Sequence, residues 1–168
     1  MIMNLKEKLS KITLIVTDFD GVLTDNKVHV SEIGTETVVC SRADGFAVGL
    51  FRSIGIDVVC ISTEVNPVVA KRCEKMRILY YQGQHDKLSC LKAYLIEKGI
   101  DKEYCLYVGN DTNDAEALGY AGVAVIPSDA YKEVAYLAHL KTKSKGGDGV
   151  LRELFTIIQS AKSKTIVK

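Results

Sequence analysis

The segment Asp18-Phe19-Asp20-Gly21-Val22 sets two carboxylates one residue apart, directly after an apolar run. On a regular strand, residues i and i+2 share a face. Here they leave the strand into Gly21, which permits a tight turn, so both can approach one small volume. Their repulsion there calls for a cation. Asp111 and Asp114 add negative charge. A carboxylate-rich set with few histidines and no ligand cysteines favours Mg²⁺ over zinc. The Ser62 hydroxyl and the Lys87 ammonium can grip phosphate oxygens. A carboxylate nucleophile, a metal and donors for the equatorial oxygens are the parts of phosphoryl transfer. Each part alone has a plainer explanation: Asp and Ser near strand ends cap helices, and Lys87 could start a solvated helix. Their joint placement at successive strand ends favours the chemical reading.

Those strand ends follow from the hydrophobic pattern. Ile12 to Val16 is a β-branched apolar run ending at Thr17-Asp18, which reads as a buried strand. Val28-His29-Val30 and Glu36 to Cys40 flank Gly34 and read as a β-hairpin. Ala47, Leu50, Phe51 and Ile54 follow helical spacing up to Gly55. Val58 to Ile61 is a second buried strand, leading into Ser62-Thr63-Glu64. Val68 to Met76 suits a helix with Pro67 in its first turn. Leu88, Leu91 and Leu95 place a stripe on a helix ending at Gly99. Cys105 to Val108 is a third strand, leading into Gly109-Asn110-Asp111 and a helix through Ala121. Val123 to Ile126 is a fourth, and Val150, Leu151, Leu154, Phe155 and Ile158 mark a last helix. Apolar strands alternating with helices imply an open α/β fold, a parallel sheet with helices on both faces. Ligands of such folds sit beyond the carboxyl ends of the strands, where the polar clusters fall.

The 168 residues fit one domain, expected over 1–168, and 47 % hydrophobic residues suffice for a continuous core. A net charge of +1 argues against a broad basic surface for nucleic acid. No membrane span or signal peptide is legible, and the five scattered cysteines read as reduced thiols of a cytoplasmic protein.

The sequence resembles the haloacid dehalogenase superfamily of phosphotransferases over nearly its whole length. Asp18 to Val22, with Thr24 following, matches motif one; Ser62 matches motif two, Lys87 motif three and Gly109 to Asp114 motif four. The resemblance implies a Rossmann-like phosphatase fold with Asp18 as nucleophile. Asp20 would protonate the leaving oxygen and then activate water. It implies Mg²⁺ at Asp18, at the backbone carbonyl of Asp20, and at Asn110 or Asp111, with Thr24 and Asp114 in support. Too little chain separates motifs one and two for a cap domain, so the hairpin serves as the flap. This is similar to the capless branch of 3-deoxy-manno-octulosonate 8-phosphate phosphatases, 2-keto-3-deoxynononate 9-phosphate phosphatases and the C-terminal domains of some acylneuraminate cytidylyltransferases. The strings Ser41 to Gly45, Tyr81 to Gln84 and Gly146 to Glu153 carry that likeness. One departure stands out: the family usually has Asp where this chain has Asn110, and an amide oxygen brings no charge. A catalytically weak oligomerisation or regulatory module is therefore the alternative. A phosphorylated receiver-like domain is a third reading, and Asp20 counts against it because it equips the site to turn over.

By the same resemblance, an acidic sugar phosphate is expected at Arg42, in the loop after the hairpin, and at Asp44, Gly45, Glu64, Arg72 and Lys75. Arg typically matches Glu64 in the octulosonate enzymes, whereas Glu, Arg and Lys match Glu64, Arg72 and Lys75 in the nononate enzymes. A nononate or acylneuraminate 9-phosphate is thus expected ahead of an octulosonate 8-phosphate. The branch also implies a homotetramer, with the hairpins at the interface.

Overall fold

Leu14, Ile15, Val16 and Thr17 are all buried, as an uninterrupted apolar run demands of a strand covered on both faces. This run is β1 (Leu14–Thr17) in a computed structural model that describes residues 3–163. The other strands are β2 (Thr24–Val30), β3 (Glu36–Cys40), β4 (Asp57–Ile61), β5 (Leu79–Tyr81), β6 (Cys105–Val108), β7 (Val123–Ile126) and β8 (Leu140–Lys141). Six of them form one sheet in the order β5-β4-β1-β6-β7-β8, parallel throughout. β2 and β3 form a separate antiparallel ribbon, the expected hairpin. Chain order runs outward from β1 in both directions, which puts the crevice at the carboxyl ends of β1, β4 and β6.

Helices α1 (Leu5–Lys11), α2 (Arg42–Ser53), α3 (Val68–Met76), α4 (Lys87–Lys98), α5 (Ala115–Tyr120) and α6 (Val150–Ser163) cover both faces. Alternate strand residues separate the two cores. Ile15, Cys60, Leu106 and Val125 pack with α1, α2, α3 and α6. Leu14, Val16, Val59, Ile61 and Tyr107 pack with α4 and α5. The α/β expectation therefore holds, helices on both faces included. Among the described residues no helix is long and apolar enough to cross a membrane.

Three local expectations change. Two strands escaped the pattern, β5 and β8, because runs of three and two residues are too short to show a period. Arg42, expected in a loop, is the first residue of α2, because Ser41 caps that helix by accepting from the Ala43 N–H. The helix after β6 opens as a 3₁₀ turn, Thr112–Asp114. There Asp111 and Asp114 form a reciprocal capping box, which tightens the first turn.

Candidate active site

β1 hands the chain to Asp18 without a break, since the Asp18 N–H still donates to the Val108 carbonyl of β6. The backbone then folds over: the Leu23 and Thr24 N–H groups donate to the Phe19 carbonyl, and Phe19 itself is fully buried. Gly21 makes this turn at φ +82°, and a Cβ there would lie 2.0 Å from the Asn110 amide nitrogen. Motif one and motif four can therefore close on each other only over a glycine.

Lys87, at the start of α4, is 2 % exposed, so the solvated-helix explanation fails. Its Nζ contacts Asp18 Oδ1 at 2.8 Å and Asp114 Oδ1 at 2.7 Å. Asp114 is a hub with no exposure. Its Oδ1 also accepts from the Tyr107 hydroxyl, and its Oδ2 accepts from the backbone N–H groups of Asn110 and Asp111. Burial pushes the Tyr107 hydroxyl well above its ordinary pKa, with the Asp114 charge adding to it, so it stays a donor. Burial would lower the Lys87 pKa, but the Asp18 and Asp114 charges outweigh it and hold the ammonium charged. Burial, and then the Asp114 charge, push the Asp18 carboxyl up against the pull of Lys87. Two carboxylates share one ammonium, so an ionised Asp18 leaves this buried cluster one negative charge in excess.

Asp20 lies across the cavity, and its Oδ1 accepts from the Thr24 hydroxyl. That hydroxyl in turn accepts from the Gly21 and Asn26 N–H groups, so Thr24 fixes where Asp20 points. Burial raises the Asp20 pKa; the Thr24 bond opposes it, and the charges of Glu64 and Glu36 add to it. Ser62 directly follows β4, is buried, and accepts from the Glu64 N–H, which leaves its hydroxyl proton free to donate. The string from Tyr81 to Gln84 holds that loop: Ser62 N–H donates to the Tyr81 carbonyl, and Gln84 N–H to the Ser62 carbonyl.

Asp18, Asp20, Ser62, Asn110 and Asp111 line one cavity of about 210 Å³, together with Asn26, Thr63 and Asn113. Thr63 and Asn113 lie inside the polar strings that follow β4 and β6 but were not singled out there, and Asn26 had no signal in the sequence beyond being polar and close to motif one. Among the described residues no three His, Cys, Asp or Glu side chains are grouped to hold a metal, so amide and backbone oxygens matter as further donors beside water. Asn110 offers one. Its Oδ1 is buried and has no hydrogen-bond partner, while Asp111 Oδ1 is engaged with the Thr112 N–H and hydroxyl. Asp18, Asp20 and the Asn110 amide oxygen thus fit a hard, oxygen-seeking cation.

The expected substrate residues divide. Glu64 lines a second cavity, about 270 Å³, which adjoins the first at Asp20 and Asn26 and is walled by the hairpin. Arg42, Gly45, Arg72 and Lys75 line a third depression of about 300 Å³ that shares no residue with either. Asp44 is 1 % exposed and caps α6, accepting from the Leu151 and Arg152 N–H groups, so it is sealed away from any ligand. Its place as a substrate contact is corrected to that of a helix cap. The string from Gly146 to Glu153 gains a reason here. It leads into α6, and its Gly147 N–H donates to the Val22 carbonyl, bracing motif one from behind.

A family model described as haloacid dehalogenase-like hydrolase matches residues 67–154. The 3-deoxy-D-manno-octulosonate 8-phosphate phosphatase of Escherichia coli is 30 % identical over 158 residues, 94 % of this chain and 84 % of that protein. This chain belongs to the haloacid dehalogenase-like hydrolases. Its class of reaction is the hydrolysis of phosphoric monoesters. The enzyme of the same name from Yersinia pestis is 29 % identical over 159 residues, 94 % of this chain and 85 % of that protein. Among solved structures, a Legionella pneumophila protein described as an HAD superfamily (subfamily III A) hydrolase superposes with a TM-score of 0.92 at 34 % identity. It covers 96 % of this chain and 90 % of its own. The octulosonate 8-phosphate phosphatase of Moraxella catarrhalis, solved with magnesium, phosphate and the sugar acid, gives 0.90 at 28 % identity, covering 96 % and 95 %.

Proposed function

We propose that this chain, as one catalytic unit, is a magnesium-dependent phosphatase of an acidic sugar phosphate. The observation that carries this is the junction at Asp18. One carboxylate oxygen is anchored by Lys87 and the Phe19 N–H, at 2.8 and 2.7 Å, which leaves Oδ2 for phosphorus.

Asp18 Oδ2 attacks phosphorus and the bond to the sugar oxygen breaks. Asp20, whose pKa burial raises, gives its proton to that oxygen as general acid, and the sugar alcohol leaves. The ionised Asp20 then takes a proton from water as the water oxygen attacks phosphorus; the bond to Asp18 breaks and inorganic phosphate is released. Ser62 and Lys87 hold the equatorial oxygens throughout. Asp18, the Asp20 backbone carbonyl and the Asn110 amide oxygen would hold Mg²⁺, with Asp111 beyond them. When bound, the ion neutralises phosphate charge and offsets the negative excess of the buried cluster.

The relatives' names favour an octulosonate 8-phosphate as substrate. Glu64 keeps the nononate or acylneuraminate 9-phosphate as the second reading, because it stands in the cavity next to Asp20 and suits hydroxyls. Arg72 and Lys75 face another depression, so their cationic groups suit a substrate carboxylate only if a neighbouring copy presents them. The exposed hairpin residues Val28, Val30, Ile33 and Val39 support the homotetramer that would do so. The test is kcat/KM for the 8-phosphate and the 9-phosphate, with Mg²⁺ and with a chelator. Magnesium-dependent release of phosphate from either is expected, and no release from both would reject the reading.

A further inference from the structure

Outside the proposed machinery, one polar side chain lines both the reaction cavity and the cavity beside it. The reaction cavity and the hairpin cavity have only Asp20 and Asn26 in common as lining residues. Building on the proposed function, Asp20 protonates the leaving oxygen, so the carbon bearing that oxygen lies at Asp20. The chain beyond it runs past Asn26 into the hairpin cavity.

That cavity has Val28, Val38 and Val68 as apolar wall, with Asn26, Lys27, Glu36 and Glu64 as polar groups. A carboxylate entering it would meet two glutamates. A neutral carbon chain carrying hydroxyls meets apolar wall and hydrogen-bonding groups together. The backbone singles out Asn26 as well. Its φ is +61°, one of two positive values outside glycine among the described residues, at an irregularity in the pairing of β2 with β3. Glycine would adopt that conformation without steric cost, whereas Asn carries a carboxamide there. The Asn26 N–H donates to the Thr24 hydroxyl that also holds Asp20, so the backbone carrying this amide is tied to the proton donor.

We infer that Asn26 is a specificity-determining residue, whose carboxamide hydrogen-bonds a hydroxyl on the carbon chain next to the phosphate ester, where the two cavities meet. An amide both donates and accepts, as a hydroxyl does, so the pair fits in either sense. Asn26→Gly removes the amide while keeping a residue at ease with positive φ, which separates contact from backbone geometry.

The experiment compares two substrates on the full chain with Mg²⁺: the faster of the octulosonate 8-phosphate and nononate 9-phosphate, and p-nitrophenyl phosphate, which has no chain hydroxyls. In Asn26→Gly the ratio of kcat/KM, sugar phosphate over aryl phosphate, should fall about tenfold, which is about 1.4 kcal/mol. In Asn26→Asp, which keeps the acceptor but loses the donor, the ratio should also fall. An active wild type whose ratio stays within twofold in Asn26→Gly overturns this inference alone. A wild type inert toward both esters overturns it together with the proposed function.

Discussion

The buried cluster around Asp114 and the β2–β3 hairpin border the same cavity and are built in opposite ways. Asp114 accepts hydrogen bonds from a lysine, a tyrosine and two backbone N–H groups, and it has no exposure. The hairpin is a two-stranded ribbon off the main sheet, and Val30 on it is 61 % exposed. A two-stranded ribbon alone is marginally stable in water. Groups that transfer phosphate have to be held within a fraction of an ångström, and a saturated, buried network does that. On the proposed reading, the part that distinguishes one carbon chain from another sits on this exposed ribbon, which a second copy would complete.

The sharpest way to break this contrast is at Lys87. Lys87→Met fills the space but leaves Asp18 and Asp114 buried without their counter-charge. It should cost about 3–5 kcal/mol in urea denaturation with a chelator present. It should also lower kcat by about 10²–10³. A variant of near-wild stability would show that the cluster is not the anchor described.

Asp44 sharpens the same point away from the chemistry. Burial raises its pKa from 3.8 to about 6, against the opposing backbone bonds from Arg152 and Leu151 and the Arg72 charge. A folded-state pKa above the unfolded one gives stability that is complete below pH 3.8 and lost as pH rises through about 6. Asp44→Asn lacks that loss. Between pH 4 and 6 its unfolding free energy should therefore rise relative to wild type, by on the order of 2–3 kcal/mol. Parallel pH profiles for the two proteins would refute the assignment.

Asn110→Asp restores a charge beside an already acidic pair. Isothermal titration should show Mg²⁺ bound about tenfold more tightly, about 1.4 kcal/mol, because carboxylate count sets affinity for hard cations. Weaker binding at equal stability would move the ligand to Asp111. The smallest effect belongs to the hairpin: Ile33→Asp should change protomer stability by less than about 0.5 kcal/mol, as an exposed site does. The same variant should shift the proposed tetramer toward smaller species in light scattering. An unchanged tetramer, or a wild type that is monomeric with full activity, would remove the hairpin from the interface.

The sequence made the centre legible because it is local and periodic. Asp18 and Asp20 follow an apolar strand, Ser62 follows another and Asn110 a third, and the structure brings all of them to one cavity. Lys87 was legible only through the motif pattern, since a lysine at a helix start looks solvated until the fold buries it. Tyr107 was hidden inside an apolar strand, where its hydroxyl gives no sign of its partner on the following turn. Asp44 was misplaced because its cap serves α6, more than a hundred residues downstream, and no local pattern reports such a contact. β5 and β8 were too short to show a period, and Asn26 is defined by a backbone angle that composition does not carry.

The central claim is that phosphate passes through Asp18. With the sugar phosphate and Mg²⁺ in single turnover, the reaction can be acid-quenched and reduced with borohydride, which converts an aspartyl-phosphate to homoserine. Peptide mass spectrometry then locates the residue. Homoserine at position 18, absent from Asp18→Asn in a preparation free of deamidation, is the predicted result. Turnover at a normal rate in that Asn variant, or the label on another residue, would contradict it.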